Sequence, residues 1–166
     1  MRVLIIGTAG SGKSYLAEKM KSKRLNAVDA SNPKYRLTKF IDVNGRKVKY
    51  VGGKEWWSNH SYMYDLTRLE RLLKGNDNIY LFGDLRIKDD LKIAKFFDKT
   101  FYLKLPKQII RERLVNRKGN PFGKQQGELE GILASKIKED RMARKAGLTI
   151  IDATLPVGEI IKIITS

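Results

Sequence analysis

The chain contains no cysteine and a single histidine, His60. Without a thiol there is no disulfide framework, no thiolate metal site and no cysteine nucleophile. One imidazole cannot build a multi-histidine zinc centre. Long apolar runs are missing too: nothing approaches the ~20 residues needed to cross a bilayer, and no membrane partner is expected. Met1-Arg2 followed by Val3–Ile6 is too short for the apolar core of a secretory signal, which leaves the cytoplasm as the expected location. Repeats, low-complexity stretches and linkers are also lacking. The 166 residues therefore read as one domain over 1–166, long enough to bury a core without staples.

Acidic charge is scarce. Thirty-four Lys and Arg against eighteen Asp and Glu leave a net charge of +16 and a pI near 10.0. A field of that sign attracts phosphates, nucleic acid or anionic membrane, although a general basic bias of composition gives the same number. Residues 34–54 carry seven basic side chains against one acid, residues 105–145 are basic as well, and no block of like charges marks a tail. The charge makes the chain anion-friendly and goes no further.

What is present is an alternation of strand and helix patterns. Val3–Ile6 is a short apolar run ending at Gly7, which reads as a buried first strand. Leu16 and Met20 give helical spacing over residues 13–23, and Leu25–Asp29 reads as strand two. Asn78–Phe82, Thr100–Leu105 and Leu148–Ile151 read as strands three to five. Between them Leu66, Leu69 and Leu73 share a helix face, as do Ile110 and Leu114. Ile160, Ile161, Ile163 and Ile164 mark a last helix. Pro106 and Pro156 fit the first helical position, where the missing N–H costs nothing. Such alternation predicts an α/β fold, a parallel sheet covered on both faces. One segment interrupts it: Phe40–Val43, Asn44-Gly45 and Arg46–Tyr50 predict a β-hairpin with a tight I′ turn, inside an insertion over about 30–75.

The chemistry is carried by Gly7-Thr8-Ala9-Gly10-Ser11-Gly12-Lys13-Ser14, which fits G-x-x-x-x-G-K-[ST] between a strand and a helix. The glycines let backbone N–H groups wrap around phosphates, and the helix N-terminus adds a favourable dipole. Lys13 is placed to reach the β- and γ-phosphates of ATP, and the Ser14 hydroxyl to ligate Mg²⁺. Gly7 through Tyr15 form the expected ATP-binding segment.

From this loop onward the sequence resembles the adenylate kinase and shikimate kinase group of small P-loop phosphotransferases. The resemblance implies a P-loop NTPase fold with five parallel strands ordered 2-3-1-4-5, an inserted acceptor-binding subdomain and a short lid over about 117–127. Leu103–Pro106 followed by Arg113 and Arg117 resembles the helix leading into that lid. The two arginines, four apart on one face, repel by a few tenths of a kcal/mol unless an anion pairs with both. Lys118, Lys124 and Arg141 are the further basic residues that the lid implies.

Asp29, at the end of strand two, matches the position where the shikimate kinase branch keeps an acid near Mg²⁺ and the attacking hydroxyl. The second acid of that branch is replaced here by Ser31. Phe82-Gly83-Asp84-Leu85-Arg86 resembles the Gly-x-Pro-Arg turn of adenylate kinase, with Leu85 in place of proline and Phe82 in place of the acid. Arg86 is then a candidate for acceptor binding. Asp84 is an alternative to Asp29 as the metal-linked acid or base. Trp56, Trp57, His60, Tyr62 and Tyr64 cluster after the basic hairpin, where aromatics among cations either stack on a nucleobase or pack a small core. Trp57 and His60 are taken as acceptor-side candidates.

Three functions are compatible with these residues. The first is ATP-dependent transfer of the γ-phosphate to a small acceptor, a nucleoside or nucleotide above all. The second is a 5′-hydroxyl polynucleotide kinase, which the charge would suit. The third is a P-loop switch without a phosphoryl acceptor.

Overall fold

The computed structural model describes residues 1–125 and 127–166. Its centre is strand β1 (Arg2–Gly7), whose Val3, Leu4, Ile5 and Ile6 are all fully buried. Successive side chains of a strand point to opposite faces, and β1 shows the consequence. Val3 and Ile5 join a core formed with helices α1 (Lys13–Ser22), α5 (Lys107–Asn116) and α7 (Val157–Thr165). Leu4 and Ile6 join a second core, with α3 (Leu66–Lys74), α4 (Ile87–Ile93) and Ala143 of α6 (Glu128–Lys145). A strand buried on both faces needs an uninterrupted apolar run, which is what the sequence supplies.

Parallel pairing extends from β1 in both directions. On one side lie β6 (Ile79–Phe82) and then β2 (Ala27–Asp29); on the other lie β7 (Lys99–Lys104) and then β8 (Thr149–Asp152). The spatial order β2-β6-β1-β7-β8 is 2-3-1-4-5 when only the parallel strands are counted. The connections leaving β1 and β6 diverge to opposite sides here, and this reversal opens a crevice at the carboxyl ends of the strands. Gly7, Asp29 and the turn after Phe82 all sit at that end.

The insertion contains more than a hairpin. Strands β3 (Thr38–Asp42) and β4 (Lys47–Val48) pair antiparallel, and a third strand, β5 (His60–Tyr64), adds to the other side of β3 after a short helix α2 (Lys54–Asn59). The third strand was hidden in the aromatic stretch. Its period of two places Tyr62 opposite Phe40 and Tyr64 opposite Thr38.

The turn also differs from the expected type I′. Asn44 has no positive φ; only Gly45 does, at 75°. The Gly45 N–H bonds the Asp42 carbonyl, and Asp42 N–H bonds the Arg46 carbonyl, closing a three-residue loop with a left-handed glycine at its end. The Asp42 carboxylate explains the choice, because its Oδ1 accepts from the N–H groups of both Asn44 and Arg46.

Smaller departures follow from helix ends. Pro106 and Pro156 each sit one residue before the first helical position, and their carbonyls accept from Ile110 and Ile160. Leu69 and Leu73 are buried, whereas Leu66, at the start of α3, is half exposed. Ile163 likewise remains partly exposed while its neighbours Ile160, Ile161 and Ile164 are buried.

Candidate active site

The loop after β1 owes its shape to glycine. Gly10 and Gly12 take φ of 85° and 98°, a region that side chains with a Cβ avoid. A Cβ on Gly12 would lie 3.2 Å from Nη1 of Arg113, so the loop is also closely covered from α5. Lys13 folds back over it, donating from Nζ to the carbonyls of Gly7 (2.6 Å) and Thr8 (3.4 Å). Ser11 Oγ is buried with no hydrogen-bond partner among the described residues. An orphan hydroxyl and an ammonium parked on loop carbonyls are what an anion cradle leaves for its ligand.

The loop forms one end of a cleft of about 810 Å³. Arg113 and Arg117 approach it from the end of α5. Arg113 donates from Nη1 to the Gly10 carbonyl at 3.4 Å. Arg117 lies just beyond the last helical residue, with extended backbone, so the pair no longer shares one regular face. Its guanidinium donates to the Phe122 carbonyl, and its buried Nε has no partner among the described residues. Burial lowers the proton affinity of Arg117, an effect opposed by the negative charges of Asp84 and Glu128.

Two carboxylates stand across from Lys13. Asp29 is buried, and its Oδ1 accepts from both the N–H and the hydroxyl of Ser31, at 2.9 and 2.7 Å. Asp84, in the turn after β6, accepts at Oδ2 from the Tyr62 hydroxyl, which also lies 2.6 Å from Thr38 Oγ1. Burial pushes the Asp84 carboxyl up to about 6 against the hydrogen bond from Tyr62 and the field of Lys13, while the nearby Asp29 adds to the rise. The same burial and the same Asp84 charge drive the Tyr62 phenol well above its ordinary value.

Beneath this turn sits Asp90, fully buried, with Oδ1 accepting from the Tyr64 hydroxyl (2.5 Å) and the Leu85 N–H (3.3 Å). Burial pushes its carboxyl up to about 8, only partly countered by the Tyr64 hydrogen bond and Lys13. The native state therefore holds a proton that an unfolded chain releases above pH ~4. The stability this contributes is complete below that pH and is lost as pH rises towards 8. Asp90→Asn, which cannot ionise, should gain Tm over the parent progressively between about pH 4 and pH 8 in thermal melts, and no further above that. A Tm difference that does not change with pH would show that Asp90 is ionised throughout.

The opposite wall is aromatic. Phe40 stacks on Tyr62 with centroids 4.2 Å apart and on Tyr50 at 5.3 Å, and Trp57 meets Phe122 edge-on at 5.9 Å. All five rings line the cleft, with Arg86 at its mouth. His60 does not line it. The imidazole stacks flat on Trp56 at 4.2 Å, with Nδ1 2.7 Å from that residue's carbonyl oxygen. Lys118, Lys124 and Arg141 are exposed and are likewise outside the lining. Lys124 donates instead to the Arg117 carbonyl at 2.5 Å. The lid expected over 117–127 includes Gln126, which lies outside the described residues.

Sequence reasoning passed over three acidic residues of α6. Glu139 is buried beside the loop and accepts from Thr8 Oγ1 at 2.7 Å, with Ser135 at 3.4 Å on its other oxygen. Next to it Lys136 pairs with Asp140 at 2.5 Å, and Asp140 also accepts from the Tyr102 hydroxyl. Glu128, at the helix start, gathers five hydrogen bonds. A charge-rich helix looks solvated in sequence; only the i, i+4 spacing of Lys136 and Asp140 hinted at a pair.

Among the described residues no cluster of three or more acidic or histidine side chains could hold a metal by itself. Mg²⁺ keeps several waters and binds through one or two protein oxygens plus substrate phosphates. Ser14, Asp29 and Asp84 all line the cleft and have oxygens on offer.

No family model matches the chain, and no curated protein matches it in sequence. Solved structures do. Shikimate kinase from Acinetobacter baumannii, in complex with shikimate, superposes with a TM-score of 0.64 at 16% identity, over 98% of this chain and 92% of that one. Shikimate kinase from Aquifex aeolicus gives 0.60 at 19% identity, over 99% and 94%. Deoxyadenosine kinase from M. mycoides with bound dATP gives 0.55 at 16%, over 99% and 97%. The fold is that of the small P-loop kinases. Among the described residues no helix of this P-loop fold is long and apolar enough to cross a membrane.

Proposed function

We propose that the chain is an ATP-dependent phosphotransferase that moves the γ-phosphate to a small acceptor, a nucleoside or nucleotide. The observation that carries the reading is one cleft in which a complete phosphate loop faces an aromatic wall, with Asp29, Asp84, Arg113 and Arg117 between them. Phosphoryl transfer requires positioning and charge neutralisation more than covalent chemistry. Lys13, Arg113 and Arg117 supply the fixed positive charge on the donor side. Ser14 and Asp29 would hold Mg²⁺, which when bound neutralises charge on the phosphate oxygens. Asp29 suits that task because Ser31 occupies one of its oxygens with two hydrogen bonds and fixes it in place.

Asp84 is the better base. Its raised proton affinity is matched to taking a proton from an acceptor hydroxyl near neutral pH. The flat faces of Phe40, Tyr50 and Tyr62 suit a planar base, and Arg86 suits an acceptor phosphate.

The test is transfer from radiolabelled ATP with Mg²⁺ to a panel of nucleosides, nucleoside monophosphates, shikimate-like alcohols and 5′-hydroxyl oligonucleotides. Label should appear in a nucleoside or nucleoside monophosphate, with weak dependence on salt. Label on the oligonucleotide would overturn the acceptor assignment. It would be supported by a binding constant falling with salt at a log–log slope of about −2 to −3, the value for three or four phosphate contacts on a single strand.

A further inference from the structure

Glu128 joins two parts of the molecule that the chain keeps far apart. Its Oε1 accepts from three groups of the insertion: the Tyr50 hydroxyl at 2.6 Å, the Trp57 indole N–H at 2.9 Å and the Gly53 N–H at 3.1 Å. Its Oε2 accepts from the loop that follows α5, at the Gly123 N–H (2.7 Å) and the Gln125 N–H (3.4 Å). The residue is only 5% exposed. Burial alone would raise its proton affinity, but the bonds from Tyr50, Trp57, Gly123 and Gly53 outweigh that and hold it below the ordinary value. A charged acceptor makes each of these bonds stronger than a neutral one would.

The loop it holds is the one that carries Arg117. The Arg117 guanidinium donates to the Phe122 carbonyl, and Phe122 in turn packs on Tyr50 and Trp57. Arg117 still has an unpartnered buried Nε among the described residues, a donor left over for an anion at the phosphate loop. Moving Arg117 onto such an anion displaces Phe122 and Gly123. Through Glu128, that displacement pulls on Tyr50, Gly53 and Trp57, the aromatic wall of the acceptor end.

We propose that Glu128 is a positioning residue that makes the Arg117 loop and the acceptor-side insertion move as one body, so that filling the donor end reshapes the acceptor wall. The inference rests on the phosphotransferase reading of the cleft. It gives that reading an order of events: the donor nucleotide closes the arginine loop, and the same movement sets the aromatic faces for the acceptor. Closure linked in this way keeps water from the donor until the acceptor site is formed.

The two tryptophans of the chain, Trp56 and Trp57, make this measurable without knowing the acceptor. In a Trp56→Phe background, Trp57 is the sole indole and reports on its bond to Glu128. The probe is the non-hydrolysable analogue AMP-PNP with Mg²⁺, with binding measured by calorimetry and Trp57 emission followed in parallel. The parent should bind the analogue and change its emission. Adding Glu128→Gln should leave binding detectable but abolish the emission change. A single amide oxygen can still accept from the insertion, whereas the amide NH₂ meets the Gly123 N–H donor to donor.

Tyr50→Phe, which removes one insertion-side bond and no charge, should give a reduced change and serves if the glutamine variant fails to fold. An unaltered response in both variants, or calorimetric binding with no response in the parent, would overturn the coupling alone. A parent that does not bind the analogue would overturn the nucleotide reading and the coupling with it.

Discussion

Replacing Lys13 with alanine is expected to lower the rate of phosphoryl transfer by ~10³-fold or more, the scale seen when a fixed charge on the transferring group is removed. The side chain has no structural duty large enough to confuse the result. Its Nζ bonds only the carbonyls of Gly7 and Thr8, inside the loop that it serves. Alanine at the first residue of α1 is a good helix former. Far-ultraviolet circular dichroism should therefore be unchanged, and the loss should appear in kcat with labelled ATP. Unchanged turnover in Lys13→Ala would remove every kinase reading of the cleft, because Lys13 is the ammonium that the described residues show bonded to the phosphate loop.

The donor half of the site was legible because its chemistry is local. Eight consecutive residues, 7–14, carry the glycine conformations, the ammonium and the hydroxyl, and the strand before them and the helix after them place the whole at the sheet's carboxyl end. The acceptor half was not, because it is assembled across long separations. Tyr62 finds Asp84 through the pairing of β5 with β3, and Glu128 finds Tyr50 and Trp57 across more than seventy positions. β5 itself was missed because His60–Tyr64 follows directly on a short helix and lies in an aromatic stretch that reads equally well as packing or as a base-stacking surface.

His60 stands apart from both halves. A lone histidine among aromatics suggested a ligand contact, but its imidazole is taken up by Trp56, one helical turn earlier. The parallel sheet, in contrast, could be read from buried strands of three to six residues, since double-sided burial leaves a continuous apolar signature.

With a hydroxyl acceptor, Asp84→Asn should lower kcat by ~10²-fold or more, the usual contribution of a positioned base, and should also remove the acid limb of the pH profile. The sign follows from the environment of the carboxyl. Burial holds its proton affinity up, so the parent protonates as pH falls through about 6 and loses its base. A plot of kcat/KM for the nucleotide reports the free enzyme. It should be flat above this pH and decline below it.

Asp29→Asn makes the control, because Asp29 is proposed to act through Mg²⁺. Its loss should raise the Mg²⁺ requirement and keep the acid limb. Lys13 contributes to the Asp84 value by pulling it down, so the residual activity of Lys13→Ala should show its limb displaced to higher pH. An acid limb that survives in Asp84→Asn and vanishes in Asp29→Asn would exchange the two roles. A limb that survives in both would show that the acceptor gives up its proton without help from either carboxylate, as a phosphate acceptor does.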